Sequence, residues 1–271
     1  MQTADTGPGG RGSREHIEYL LRLGDNAVVH GQRLAEWCGH GPVLEEDIAL
    51  ANIALDYIGQ ARMLLSHAAV VENRGRDEDA LAYLRNTREF RNFTMLELPH
   101  SGVSSAGAMS PDYAITIVRN FLFGAYQCAL WTRLASSSDS QLAAIAAKSL
   151  KEARYHLAHA GDWLARFGDG TGESHRRAQA ALEALWPYTN EWFAQDPVEE
   201  TVSRSGIGAA GSELRAQWMK LVGEAVAAAT LTLPADSAFL SAGRLGLHSE
   251  HLDYLLTEMQ SLHRAHPGAQ W

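Results

Sequence analysis

Apolar residues recur at spacings of three and four along most of this chain, and polar breaks divide the pattern into helices. The first predicted helix covers about 14–37, with Ile17, Leu20, Leu21, Gly24, Ala27, Val28, Gly31, Leu34, Ala35 and Cys38 on one stripe. Each stripe glycine costs about 1 kcal/mol of helix propensity relative to alanine, which predicts close approach of a neighbouring helix there. The second helix opens in Glu45, Glu46 and Asp47, acidic residues that suit the positive end of a helix dipole, and runs to about 72. Its stripe holds Leu50, Ile53, Ala54, Tyr57, Ala61, Leu64, Ala68 and Val71, with Gln60 at its edge.

After a polar turn at 74–79 come short helical pieces over 80–85 and 89–98, then a loop over 100–110 rich in Ser, Gly and Ala. A loop of that length is functional or mobile. The third long helix starts at Ser110 as cap and Pro111 as first helical residue, and is apolar on nearly every side to Leu134, which predicts burial all round. The fourth covers 140–168, with Leu142, Ile145, Ala146, Ala153, His156, Leu157, Ala160 and Leu164 on one stripe. A fifth helix over 173–193 is bent or split at Pro187, residues 197–212 read as loop, and further helices cover about 213–231 and 249–264. Two helical hairpins joined by a long crossover, with no strand pattern, predict an all-α, ferritin-like four-helix bundle with additional C-terminal helices. The expected organisation is a disordered tail over 1–13 and a single domain over 14–271.

Composition narrows this reading. The net charge of −9 argues against a nucleic-acid partner, which calls for a basic face. The first residues have no apolar run of the kind a signal peptide carries, and no stretch reaches membrane-spanning length. The two cysteines, Cys38 and Cys128, lie in apolar helical sequence and read as buried thiols of a cytoplasmic protein.

A buried histidine such as His156 at the middle of a four-helix bundle raises the question of a metal. A di-iron site in such a bundle needs one Glu from each of two helices and a Glu-x-x-His from each of the other two. The first helix has no carboxylate on its stripe, Asp25 and Glu36 falling at its flank, and the second offers Tyr57 and Gln60. The third has no acidic residue between Asp112 and Asp139, and the fourth offers Ala153 and His156. Tyr57, Gln60, Ala153 and His156 therefore mark a degenerate di-iron position and no metal site. The polar members, with Asn120 and Gln127, are expected to be fully hydrogen-bonded, because a buried orphan costs about 1–3 kcal/mol. A mononuclear alternative uses Glu152, His156 and His159.

Arg85, Arg88 and Arg91 fall at i, i+3 and i+6, either as a cationic strip for phosphates or an acidic partner, or as a solvated face. His248 and His251, at the start of the last helix, are candidate contacts of the same kind or capping residues. Trp37, Trp163, Trp186, Trp192 and Trp218 read as core or interface anchors.

The segments RLAEWCGH (33–40), IALANIALDYIGQAR (48–62), KEARYHL (151–157) and GLHSEHL (246–252) closely resemble the C-subunit family of the multicomponent phenylacetyl-CoA 1,2-epoxidase. The likeness extends in order over about 15–271. Related subunits with a working site read Asp-Glu-x-Gly-His-Ala-Arg in the second helix; here the stretch from Asp56 to Arg62 has Tyr57 at the Glu position and Gln60 at the His position. The resemblance implies a non-catalytic structural subunit in aerobic phenylacetate degradation. It also implies a tight complex with a catalytic A subunit that holds the di-iron centre, no cofactor in this chain, and a share in shaping the phenylacetyl-CoA pocket. The alternatives are a stand-alone acyl-CoA-binding protein and a di-iron oxygenase with unconventional ligands.

Overall fold

The computed structural model describes residues 12–101 and 111–269; most of the predicted tail, most of the 100–110 loop and the predicted cap Ser110 lie outside them. Helix α1 (Arg14–Ala35) is capped by the Ser13 side chain, and α2 (Leu44–Glu72) ends at Asn73 in the left-handed conformation. The two pack closely where α1 lacks side chains. A Cβ on Gly24 would lie 2.6 Å from Leu65 Cδ2, and one on Gly31 would lie 3.2 Å from the Ala54 carbonyl. The stripe glycines thus set the spacing of the first hairpin.

The crossover carries α3 (Glu78–Tyr83), a 3₁₀ turn at Thr87–Glu89 and α4 (Thr94–Glu97). It leads to α5 (Tyr113–Leu134), whose N-cap is Asp112, accepting from the Ala114 amide at 2.9 Å, so the predicted start at Ser110-Pro111 moves inward. The second hairpin closes with α6 (Ser140–Gly168), capped by Asp139. These four long helices make a ferritin-like bundle, and no strand occurs among the described residues.

The remaining elements wrap two sides of the bundle. They are α7 (Gly172–Leu185), a 3₁₀ turn at Trp186–Thr189 holding Pro187, α8 (Asn190–Phe193), α9 (Pro197–Arg204), α10 (Gly211–Ala228) and α11 (Glu250–Ala265). The helix α9 falls in the stretch that its glycines at 206, 208 and 211 mark as loop. It forms because Asp196 accepts from the Val198 and Glu199 amides and Pro197 occupies the first turn, where a missing N–H costs nothing. Trp186 and Trp192 both pack against Trp218 in the core, the first tilted and the second edge-on, and the Trp218 indole donates to the Leu122 carbonyl at 3.0 Å.

Helix α1 departs most from its sequence reading. It is buried on nearly every side from Tyr19 to Leu34, because the crossover and α9 cover the face opposite α2. That face is polar. Asp25, expected at the flank, is fully buried and paired with Arg85, which is 3% exposed. The Arg85 Nη1 lies 3.0 Å from Asp25 Oδ2, and the Arg91 amide donates to the same oxygen at 2.8 Å. Asn26 accepts from the Phe93 amide, Arg33 donates to the Glu97 carbonyl and Arg22 pairs with Asp196. Gln260 of α11 donates to the Ala82 and Arg85 carbonyls at 3.0 Å each, and Arg264 donates to the Tyr83 carbonyl. The first helix and the last therefore grip the crossover from opposite sides.

The cysteines also differ from expectation. The helix stops at Ala35, so Cys38 lies in the following turn and is exposed, while Cys128 is half-buried with its thiol pushed up to about 11 by burial. No helix among the described residues is long and apolar enough to cross a membrane.

Removing one partner of a buried ion pair strands the other charge in a low-dielectric interior. Asp25→Ala is expected to lower unfolding stability by about 3–5 kcal/mol in urea denaturation. The double variant Asp25→Ala/Arg85→Ala is expected to lose less than the sum of the two single variants.

Candidate functional site

At the bundle midpoint the four long helices turn a set of polar side chains toward one another. Tyr57, Gln60 and His156 are at most 1% exposed, and Ala153 is fully buried beside them. A fourth contributor, not foreseen from the sequence, is His30 of α1, also fully buried. Its signal was present: it falls three residues after Ala27, next to the stripe glycine Gly31. Its ring stands edge-on to Tyr57 and Phe123, with centroids 4.7 and 5.2 Å away, and Tyr57 in turn lies 5.0 Å from the His156 ring. The degenerate position is thus an aromatic–imidazole stack.

Burial, then the charge of Arg119, and then the neighbouring imidazoles His100 and His156 hold the His30 pKa well below its ordinary 6.5; Asn120 opposes this. Desolvation also lowers the His156 pKa, against the pull of Asp56. The expectation of full pairing fails here. Gln60 Oε1, Gln127 Oε1 and His156 Nδ1 meet no protein partner at hydrogen-bonding geometry, and His30 and Asn120 approach each other without reaching it. Around His30 the packing is aromatic, the Tyr57 and Phe123 rings standing edge-on to the imidazole.

The carboxylates stop short of this centre. Three α6 side chains reach three separate α2 partners: Glu152 accepts from Gln60 at 2.9 Å, His156 Nε2 meets Asp56 Oδ2 at 2.9 Å, and His159 Nε2 meets Glu46 Oε2 at 2.9 Å. The trio Glu152, His156 and His159 therefore does not converge, which removes the mononuclear arrangement suggested by spacing. Successive residues of α6 descend the α2 seam instead of meeting at a point. Glu46 also accepts from the Tyr113 hydroxyl; desolvation raises its pKa, but Tyr113 and His159 outweigh it and the net shift is downward. Carboxylates at the rim and neutral donors at the centre do not match the four-carboxylate, two-imidazole set of a di-iron bundle.

The predicted cationic strip also dissolves. Arg85 is buried against Asp25 and stacks over Phe90, its guanidinium 4.4 Å from the ring centroid. Arg91 pairs with Glu18 at 2.8 Å, and Arg88 is exposed. The i, i+3, i+6 spacing assumed one continuous helix, but α3 ends at Tyr83 and a turn follows. Arg88 and His248 do line one hollow, together with Glu89, Glu250 and Asp253, so its charge is not cationic overall. His248 is held inside by Glu97 Oε2 at 2.8 Å and the Phe90 carbonyl at 3.0 Å. Burial pulls its pKa down, the Glu97 carboxylate outweighs that, and the result is raised. His251 is half-buried and its carbonyl accepts from Arg33 at 3.1 Å. A more apolar hollow of about 370 Å³ lies between Tyr113, Trp163 and Phe167, with Arg177 on its wall.

Two comparisons with known proteins bear on this geometry. Residues 2–271 match the family described as phenylacetic acid catabolic protein. Over 253 residues the chain is 47% identical to the C subunit of 1,2-phenylacetyl-CoA epoxidase from Escherichia coli (strain K12), covering 93% of this chain and 98% of that protein.

The imidazoles make stability depend on pH in opposite directions. His30 takes up a proton near 6.5 when unfolded and resists it when folded, so the unfolded state binds more protons below 6.5 and stability falls there. His248, with its raised folded pKa, contributes stability that is fully present below 6.5 and fades as pH rises through that folded value. His30→Leu is expected to recover part of the stability lost between pH 7.5 and pH 5.5, on the order of 1 kcal/mol, measured by urea unfolding at both values.

Proposed function

The chain belongs to the phenylacetic acid catabolic protein family, and on that premise we propose that it is a non-catalytic member of a phenylacetyl-CoA epoxidase complex. In this reading it works in the cytoplasm, carries no cofactor, and binds and steadies a catalytic A subunit that holds the di-iron centre. The observation that carries the reading is the bundle midpoint itself. His30, Tyr57, Gln60, Ala153 and His156 fill the positions where two hard cations would need inward carboxylates. The name of the Escherichia coli relative, which makes it one subunit of a phenylacetyl-CoA epoxidase, supports the complex.

The outer edge of α2 and α6 fits a partner. Leu44, Ile48 and Leu55 on α2 are 72%, 53% and 67% exposed, and Tyr155 on α6 is 59% exposed. Leu55 and Tyr155 are the sequence neighbours of Asp56 and His156, so this apolar edge lies directly outside the central stack. Contiguous exposed apolar side chains of this size are characteristic of interfaces. A contribution to the phenylacetyl-CoA pocket would come from the hollow between Tyr113, Trp163 and Phe167, which has aromatic walls and room for a ring. The same hollow underlies the second reading, a stand-alone acyl-CoA binder, for which calorimetry of the isolated chain with phenylacetyl-CoA would give a saturable heat.

Co-expressed with the catalytic subunit, the chain is expected to elute with it in gel filtration, with iron in the partner and less than a stoichiometric amount in this chain alone. Leu55→Glu/Tyr155→Glu is expected to weaken that complex at least tenfold while leaving the far-UV circular dichroism of the isolated chain unchanged. About two irons per isolated chain after anaerobic loading would overturn the non-catalytic reading in favour of unconventional di-iron ligands.

A further inference from the structure

At one end of the bundle, away from the central stack, three side chains from three elements meet on one oxygen. His16 in the first turn of α1 brings Nε2 to 2.9 Å from Asp139 Oδ2, and His67 near the end of α2 brings its Nε2 to 2.6 Å from the same atom. The three ligand atoms all lie within 4.8 Å of one another, and this is the one such group of His, Cys, Asp and Glu among the described residues. The other imidazole–carboxylate contacts among the described residues, Glu46 with His159, Asp56 with His156, Glu97 with His248 and Glu36 with His100, each offer a single imidazole and a single carboxylate. Along α2, His67 is about 15 Å from Tyr57 at 1.5 Å per residue, so this cluster is separate from the degenerate position.

We propose that His16, His67 and Asp139 form a binding site for one divalent first-row cation of the zinc class, which clamps α1, α2 and α6 together.

The donor chemistry fits: two imidazole nitrogens and one carboxylate oxygen suit a borderline cation and leave at least one coordination position for water. The support is also in place. The second Asp139 oxygen, Oδ1, accepts from the Gln141 and Leu142 amides at 3.0 Å each, and the Asp139 amide donates to Ser137 Oγ at 3.1 Å. The capping role therefore orients the carboxylate and leaves Oδ2 to face the imidazoles. The two rings stand edge-on, with centroids 6.1 Å apart at 71°, and the side chains are 13%, 11% and 9% exposed for His16, His67 and Asp139. Ligands held by outer-layer hydrogen bonds and reachable from solvent are what a preformed site requires. Without the cation, each imidazole can satisfy Oδ2 by donating its Nε2–H. With the cation, the ring proton resides on Nδ1 and the Nε2 lone pair becomes the ligand.

The test uses the untagged full-length chain, treated with EDTA and desalted, and titrated with ZnCl₂ in a calorimeter and with CoCl₂ in an absorption cell. One saturable equivalent of Zn²⁺ and Co²⁺ bands of a low-coordinate site are expected. His16→Gln and His67→Gln should each lower the affinity at least tenfold, with unchanged far-UV circular dichroism, while His159→Gln should bind as the parent does. Should a histidine variant fail to fold, Asp139→Asn, which keeps a capping oxygen, is read in its place and should show the same loss. Absence of a saturable equivalent, or an equivalent bound unchanged by these variants, would overturn the site and leave a hydrogen-bonded cluster that joins three helices.

Discussion

The two hairpins of this bundle are tied to each other along the α2–α6 seam by paired imidazoles, carboxylates and amides, and the arrangement of the midpoint follows from that tie. Within each hairpin the helices pack through small and apolar residues, as at Gly24 and Gly31. Between hairpins, Glu46 meets His159, Asp56 meets His156, Gln60 meets Glu152, and His67 meets Asp139. In carboxylate-bridged bundles the corresponding helices are joined by metals they ligate in common. Here the polar atoms that could join them are drawn outward to the seam, and the centre is left to aromatic rings and neutral imidazoles. The tie between the hairpins is thus made by side chains alone, at the rim of the bundle instead of at its centre.

A second polar layer lies on the opposite side of α1. Asp25, Asn26 and Arg33 fix the crossover, and Arg22 fixes the segment leading into α9. The first helix is consequently central to the fold although it opens the described chain. Its buried charges are costly to desolvate and are tolerated because each meets a partner of fixed geometry. The crossover, lacking long helices of its own, owes its conformation to those partners more than to local propensity.

Much of this was legible in the sequence, and the misses have common physical causes. The bounds of α6 were readable because a serine-rich turn precedes it and glycines follow, and the lack of inward carboxylates at the midpoint was readable because residue identity alone decides whether they are available. Asp25 was placed only at the flank of α1, and the burial of that polar face was not legible because its partners come 60 or more residues later, and charge in a helix gives no sign of a distant counter-charge. The arginine spacing misled for a related reason: periodicity has meaning only inside one helix, and α3 is too short to carry it past Tyr83. His30 went unnoticed because a single imidazole beside a glycine carries little pattern. The convergence of His16, His67 and Asp139 could not be read at all, because it depends on how three helix ends are brought together in space.

The grip of α11 on the crossover has a temporal side. The carbonyls of Ala82, Tyr83 and Arg85 find their donors in Gln260 and Arg264, nearly two hundred residues downstream. A ribosome releases the first hairpin long before those donors exist. The crossover therefore stays incompletely bonded until Gln260 and Arg264 have emerged, and this part of the fold closes through contacts distant in sequence instead of settling in order from its N-terminus.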